Sequence, residues 1–336
     1  MLGVTMRSGV GISSVCRWIF RDSASVRLPA RRDFLKAAIG GIAGAAFGVP
    51  GFPSKVARAQ SGTNAVAAGR DNVHVLRAGQ HNVVAMTDSD GLVLVNGGLA
   101  SEATTLLERV ALLAGGKDIQ TLFNTCWHPE HTGLNEALGR AGAAIVAHEN
   151  TRLWLTADIT WPWNGQRFRP LPEVARPNKT FYTRDKLAVG DTHVEYGHVR
   201  ASPHTDGDMY VFFPEANMLA VGEAVSGQGW PFIDYWTGGW IGGVVGGLES
   251  LLVLADDETL IVPARGPSLR RADLQAQYEM YNVIYERLAT FLYGGKSPDE
   301  AVAARPTSEF DAKMGQPDDF VTVAFKSLWG YLAPDA

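Results

Sequence analysis

The chain has 336 residues, 46% of them hydrophobic and 10% aromatic, which is enough apolar material to bury one large core or two small ones and too much for a disordered or fibrous protein. Acidic residues outnumber basic ones by 35 to 30, for a net charge of −5. Nucleic acid and anionic lipid select cationic surfaces, so this balance disfavours both as partners.

The N-terminal segment differs in kind from the rest. Scattered Arg7, Arg17, Arg21 and Arg27 lead to Arg31-Arg32-Asp33-Phe34-Leu35-Lys36, then to small and apolar residues from Ala37 to Phe47, with Ala57-Arg58-Ala59 beyond. The apolar run is shorter than the roughly 20 residues of a spanning helix and rich in glycine, which argues against a membrane anchor. The segment resembles a twin-arginine export signal with an A-x-A cleavage site. That resemblance implies a signal peptide over 1–59, export of the folded chain to the periplasm or beyond, and no stable membrane insertion after cleavage. Loss of 1–59 removes nine Lys/Arg and two Asp, leaving 21 basic and 33 acidic residues, a net charge of −12. Cys16 leaves as well, so Cys126 is the one thiol of the mature chain and no internal disulfide can form. In an oxidising compartment such a thiol survives when it is buried or metal-bound.

Residues 60–70 are small and polar and read as a linker. Two alternating runs between Val73 and Val95 flank Asp88-Ser89-Asp90-Gly91, a hairpin signal. A helix is expected over 101–115, with Ser101 as N-cap and Gly115-Gly116 as its stop. Strands and helices then alternate: Ile119–Phe123 as a buried strand, helix 134–141, strand Ala144–Ala147, and a helix from His148 to Leu155. A second set of strands begins near Phe181 and continues through His193–Gly197, Met209–Phe213 and Met218–Val221. Ser226–Gly247, crowded with glycine and with Trp230, Phe232, Tyr235, Trp236 and Trp240, is expected to be either a loop packed on the core or a lid that grips an apolar substrate. Trp154, Trp161, Trp163 and Phe168 form a second aromatic cluster that could face it. Helices over 271–293 and 318–332 close the chain and read as packing elements.

Chemistry concentrates in Asn124-Thr125-Cys126-Trp127-His128-Pro129-Glu130-His131-Thr132-Gly133, where a thiol, two imidazoles and a carboxylate lie within six positions after an apolar strand. These are three of the ligand types that proteins offer to metals. The segment resembles the H-x-H-x-D-H signature of the metallo-β-lactamase fold, with Cys126, His128, Glu130 and His131 at its four positions. Further elements resemble that family in order: Ala201-Ser202-Pro203-His204-Thr205-Asp206-Gly207-Asp208 its H-T-x-G-D, Ala220-Val221-Gly222-Glu223 its Gly-Asp strand end, and Pro263-Ala264-Arg265-Gly266-Pro267 its P-G-H-G-P. Leu92-Val93-Leu94-Val95-Asn96-Gly97-Gly98 is similar to its L-V-D-x-G. The resemblance implies an α/β (α+β) fold, a four-layer αββα sandwich, over 71–295, with 296–336 as a helical extension packed on it.

What the resemblance implies for the site is an altered metal centre. The family pattern holds two zinc ions that activate water against a carbonyl or phosphoryl centre. Here Cys126, His128 and His204 remain as a Cys-His-His set able to hold one zinc, with Glu223 at the open position. His131, Glu130 and Glu223 remain of the second set, but Arg265 stands where a histidine is usual, and a guanidinium cannot ligate. It can pair with Glu130 or Glu223 in place of the second ion, or orient a substrate carboxylate and leave Glu130 as general base. One zinc is expected rather than two. Glu130, Glu223 and Arg265 are the catalytic candidates, and Trp230, Trp236 and Arg265 the substrate-binding candidates. Three readings stay open: a hydrolase of a small ester, thioester, lactone or lactam, a catalytically silent binding protein, and a mononuclear iron site like that of the sulfur dioxygenases. His74, His81, His193 and His198 read as surface or hydrogen-bonded residues. His148 resembles a position near the site, and Asp206 and Asp208 are expected to brace His204 or cap a turn.

Overall fold

The computed structural model describes residues 68–332; the expected export signal, its cleavage site and nearly all of the linker lie outside the described residues. The first half runs β1 (Ala68–Arg70), β2 (Val73–Ala78), β3 (His81–Thr87), β4 (Leu92–Val95), α1 (Ala103–Ala114), β5 (Ile119–Phe123), α2 (Pro129–Thr132), α3 (Asn135–Arg140), β6 (Ala144–His148), α4 (Glu149–Thr156), β7 (Ile159–Thr160), β8 (Arg167–Phe168) and β9 (Lys179–Phe181). The second half runs β10 (Arg184–Val189), β11 (Thr192–His198), β12 (Met209–Phe213), β13 (Met218–Gly222), α5 (Ile241–Leu254), β14 (Leu260–Pro263), α6 (Arg271–Tyr293), α7 (Pro298–Ala303), α8 (Asp311–Met314) and α9 (Asp318–Leu332). One sheet orders its strands β1-β2-β3-β4-β5-β6-β9, the other β10-β11-β12-β13-β14, and β7-β8 form a small hairpin.

The layers follow from the period-two alternation of side chains along each strand. Val84, Met86, Val93, Val95 and Phe123 of the first sheet meet Met209, Val211, Phe213, Met218 and Val262 of the second in the inter-sheet core. The opposite face of the first sheet, with Val83, Ala85, Leu92, Leu94 and Leu122, packs on Leu106 and Val110 of α1 and Leu138 of α3. The opposite face of the second sheet, with Leu219, Val221 and Ile261, packs on Leu248, Leu251, Ile284 and Phe325 of α5, α6 and α9. The result is an αββα sandwich. With both faces covered, central strands such as β4 and β13 are apolar at every position rather than alternating.

Three expectations need correction. Phe181 belongs to the first sheet, because β9 pairs parallel with β6 (His148↔Phe181), so the second set of strands starts at Arg184. Ser101 sits inside a 3-10 turn, Ala100–Glu102, and α1 begins after Glu102 with no side-chain cap. Gly115 does end the helix, at φ 56°. Residues 226–247 are not one loop, since their last part is the first half of α5. The glycines there serve contact rather than hinging: a Cβ on Gly243 would lie 2.1 Å from the Ala201 carbonyl oxygen.

Strand polarity gathers the chemistry at one edge. β4, β5 and β6 are mutually parallel, as are β13 and β14, so the loops leaving them emerge together. β12 runs antiparallel to β13, which brings the loop entering it to the same edge. The Met209 amide donates to the Thr125 carbonyl at 3.0 Å and ties the two sheets there. Among the described residues, no helix is long and apolar enough to cross a membrane.

Candidate metal centre

The segment after β5 is shaped by buried carboxamides. Asn96 ends β4 in the left-handed region, φ 67°, which asparagine tolerates better than most residues. Its Oδ1 accepts from the Thr125 amide at 3.0 Å and the Thr125 hydroxyl at 2.9 Å. Asn124 Nδ2 donates to the His131 carbonyl and to Asn135 Oδ1, each at 3.0 Å, and the Gly97 amide donates to the same His131 carbonyl at 2.7 Å. These bonds satisfy backbone groups that no ladder reaches. They let an irregular loop run through the interior with Cys126, His128 and His131 each 1% exposed.

Two trios of potential ligands result. In the first, Cys126 Sγ and ring nitrogens of His128 and His204 all lie within 4.8 Å of one another. Asp208 bonds the His204 amide (2.7 Å), His204 Nδ1 (3.2 Å), the Thr205 amide (2.8 Å) and the Thr205 hydroxyl (2.7 Å). With Nδ1 engaged by a carboxylate, His204 Nε2 is the free acceptor, and this buried atom has no hydrogen-bond partner. His128 is oriented in mirror fashion: its Nε2 lies 3.0 Å from Asp234 Oδ2, which leaves Nδ1 for a ligand. Asp234, fully buried, also accepts from the Thr237 hydroxyl at 2.7 Å and from Trp161 Nε1 at 3.3 Å.

The electrostatics of this trio call for a cation. Burial pushes the Cys126 thiol far up, and the carboxylates of Asp208, Glu130 and Glu223 push it further. Burial alone would lower the His204 imidazole, but Asp208, Glu223 and Asp234 outweigh it and raise it. Burial would likewise raise the Asp234 carboxyl, yet the His128 and Thr237 hydrogen bonds with the charges of His128 and His204 hold it below its ordinary value. A thiol in such a place ionises only against a metal, and an unpartnered imidazole nitrogen beside it completes a donor set suited to zinc. The residues present therefore fit a single ion.

The second trio, Glu130, His131 and Glu223, also falls within 4.8 Å, but Arg265 reaches into it. Arg265 Nη2 donates to Glu223 Oε2 at 3.2 Å, and Nε lies 3.1 Å from Oε1 without hydrogen-bond geometry. Glu223 Oε1 and His131 Nε2, 4.0 Å apart, both lack a hydrogen-bond partner. Glu223 is positioned by Gly222, whose φ of 57° and 2.4 Å approach of a would-be Cβ to Thr125 Oγ1 exclude a larger residue. The Arg265 backbone is held by a bridge to His81 and by the Asn82 amide bonding the Ala264 carbonyl at 2.7 Å. Burial opposes ionisation of Glu223, but Arg265, His204 and His131 overcome it and lower its pKa. Glu130 is held at about 2 in spite of burial, by His131, His128, its backbone amide and His204. Burial brings His131 down to about 4.

An aromatic wall flanks the first trio. The Phe232 ring lies 5.8 Å from His128 and 5.9 Å from His204, and Trp161 lies 5.5 Å from both His128 and Phe232. Trp163 stacks on Trp161 at 5.0 Å and meets Tyr235 at 5.1 Å, so residues of the 226–240 loop do face the cluster of Trp161, Trp163 and Phe168. Trp230 is placed elsewhere: it stacks on Phe320 at 4.6 Å and donates to the Gly315 carbonyl at 3.0 Å. The Trp236 residue is 52% exposed and points to neither trio by any described contact. Asp206 accepts from Trp154 Nε1 at 2.7 Å instead of bracing His204. His148 caps α4, accepting from the Asn150 amide, and stacks on His198 at 4.3 Å, outside both trios. Asp234 and Phe232 are the residues whose roles sequence reasoning misses. A signal for Asp234 was present, since it is the one charged residue between 224 and 248.

Comparison with curated proteins finds no match. Among solved structures, the chain is similar to the sec-alkylsulfatase Pisa1 from Pseudomonas sp., at 15% identity and a TM-score of 0.58, covering 78% of this chain and 49% of that one. It is also similar to the DIM-1 metallo-β-lactamase, at 15% identity, TM-score 0.51 and coverage of 65% and 96%. A metallo-β-lactamase from Pontibacter korlensis aligns at 18% identity, TM-score 0.49 and coverage of 62% and 94%. Likeness at these identities concerns the fold, and the chain spans about half the length of the alkylsulfatase. The family model of the metallo-β-lactamase superfamily matches residues 76–265, more than half of the sequence, and it is to this superfamily that the chain belongs.

Proposed function

We propose that this chain is an exported hydrolase with one zinc ion, held by Cys126, His128 and His204, acting on a small ester, thioester, lactone or lactam. The observation that carries it is the buried His204 Nε2, unpartnered and within 4.8 Å of donors from Cys126 and His128. A zinc ion there would supply Lewis-acid polarisation and activation of water, weakened by the negative charge of the thiolate. The protein's own groups divide the remaining work. Asp208 and Asp234 hold the two imidazoles in one tautomer each. Glu130, ionised at neutral pH, is the group available to accept a proton. Arg265, with 44% of its side chain exposed, neutralises Glu223 and can meet an anionic substrate group. The wall of Phe232, Trp161 and Trp163 excludes water and receives the apolar part of the substrate.

The test is metal content of the chain from residue 60 onward, purified without chelators, by elemental mass spectrometry. One zinc per chain is expected, falling to near zero in His128→Ala. No metal under replete conditions would overturn the proposal in favour of a silent binding protein, and iron would turn it to redox chemistry.

A further inference from the structure

A cavity of about 400 Å³ lies behind the ligand loop, walled by Trp127, Pro129, Phe168 and Leu171, with the exposed Arg169 and Ser101 at its rim. Its volume falls in the range of small-molecule sites. None of the six residues of the two trios lines it. Two charged residues line it: Glu136 is paired with Arg140, whereas Arg169 has no carboxylate within ion-pair distance among the described residues, its one electrostatic partner being the more distant Asp158, which is itself paired with Arg167.

We propose that this cavity binds an amphipathic anion, with the apolar body against Trp127, Phe168 and Leu171 and the anionic group on Arg169. Its occupant would be sensed by the metal centre. Trp127 Nε1 donates to Thr237 Oγ1 at 3.1 Å, Thr237 donates to Asp234 Oδ2 at 2.7 Å, and that oxygen is the partner of His128 Nε2 at 3.0 Å. The Trp127 ring also lies edge-on to the His128 ring at 4.3 Å. A ligand pressing on Trp127 therefore acts on the group that orients His128, and by linkage metal and ligand alter each other's affinity equally. The binding claim itself does not rest on the hydrolase reading.

The probes are 1-anilinonaphthalene-8-sulfonate and N-phenyl-1-naphthylamine, which share a ring system and differ in the sulfonate. Fluorescence titration of the metal-free protein should give one sulfonate-probe site per chain. Leu171→Trp, which fills the cavity from its wall, and Ser101→Trp, which fills it from the rim, should each abolish it, with folding checked by thermal melting. The rim variant Arg169→Ala should weaken the sulfonate probe about two- to fivefold and leave the neutral one unchanged. Zinc loading should shift the sulfonate-probe affinity at least about fivefold. Undiminished binding in both filling variants would overturn the site, equal affinity for both probes with no effect of Arg169→Ala would overturn the anionic class, and an affinity indifferent to zinc would overturn the coupling.

Discussion

The two trios at the sandwich edge draw four of their six residues from the one segment after β5 and the other two, His204 and Glu223, from separate loops, yet they solve their charge problem differently. Cys126, His128 and His204 are each 1% exposed, with two carboxylates behind them and no fixed cation among them. Glu130, His131 and Glu223 already hold one, because Arg265 contacts both oxygens of Glu223. A permanent positive charge within the second set removes most of the electrostatic reason for a metal there. The first set keeps that reason in full. On the proposed reading, one arginine turns half of a two-ion site into an ion pair and leaves the other half for a metal, within an unchanged sandwich.

The sharpest way to break this division is Arg265→His. It removes the internal cation and offers an imidazole beside Glu223, so zinc stoichiometry should rise from one to two per chain by elemental analysis. A count that stays at one would show that Glu130 or Cys126 also prevents the pair. The smaller lever lies on the first trio. Replacing Asp234 by Asn keeps its size but takes away the charged acceptor of His128, and zinc affinity measured against a competing chelator should fall about 10- to 100-fold. An unchanged affinity would reduce Asp234 to a brace for its loop.

How much of this could be read from residues alone depends on which interaction was local. The ligand loop announced itself because thiol, imidazole and carboxylate crowd one short segment, and helices 271–293 and 318–332 carry a plain amphipathic pattern. The helix Ile241–Leu254 did not, since Gly242, Gly243, Gly246 and Gly247 read as a flexible stretch; what makes part of it helical is the close seat of Gly243 on Ala201 and Ser202, distant in sequence. The same holds for the aromatic loop. Its composition pointed to a wall beside the site, but whether Trp230 or Phe232 turns toward His128 is decided by the path through Pro231 to the buried Asp234, a tertiary matter. Asp234 itself makes its decisive bond to a residue 106 positions away.

Protons offer the mildest probe of the contrast between the trios, and they act with opposite sign on one histidine of each. His131 is brought by burial from an ordinary 6.5 to about 4, so the folded chain binds fewer protons than the unfolded one between those values. Its contribution is fully present above pH 6.5 and is lost as pH falls toward 4, on the order of 3 kcal/mol over the whole window. For His204, raised above 6.5, the contribution is present below that value and lost as pH rises through its folded pKa. Denaturant unfolding of the metal-free protein at pH 7.5 and pH 5, above the range where Glu130 protonates, separates the two. In His131→Gln the loss of stability on acidification should shrink, and in His204→Gln it should grow. If His131→Gln leaves the difference between the two pH values unchanged, His131 is already charged at pH 5, and the second trio holds an imidazolium beside Arg265 rather than a neutral ring.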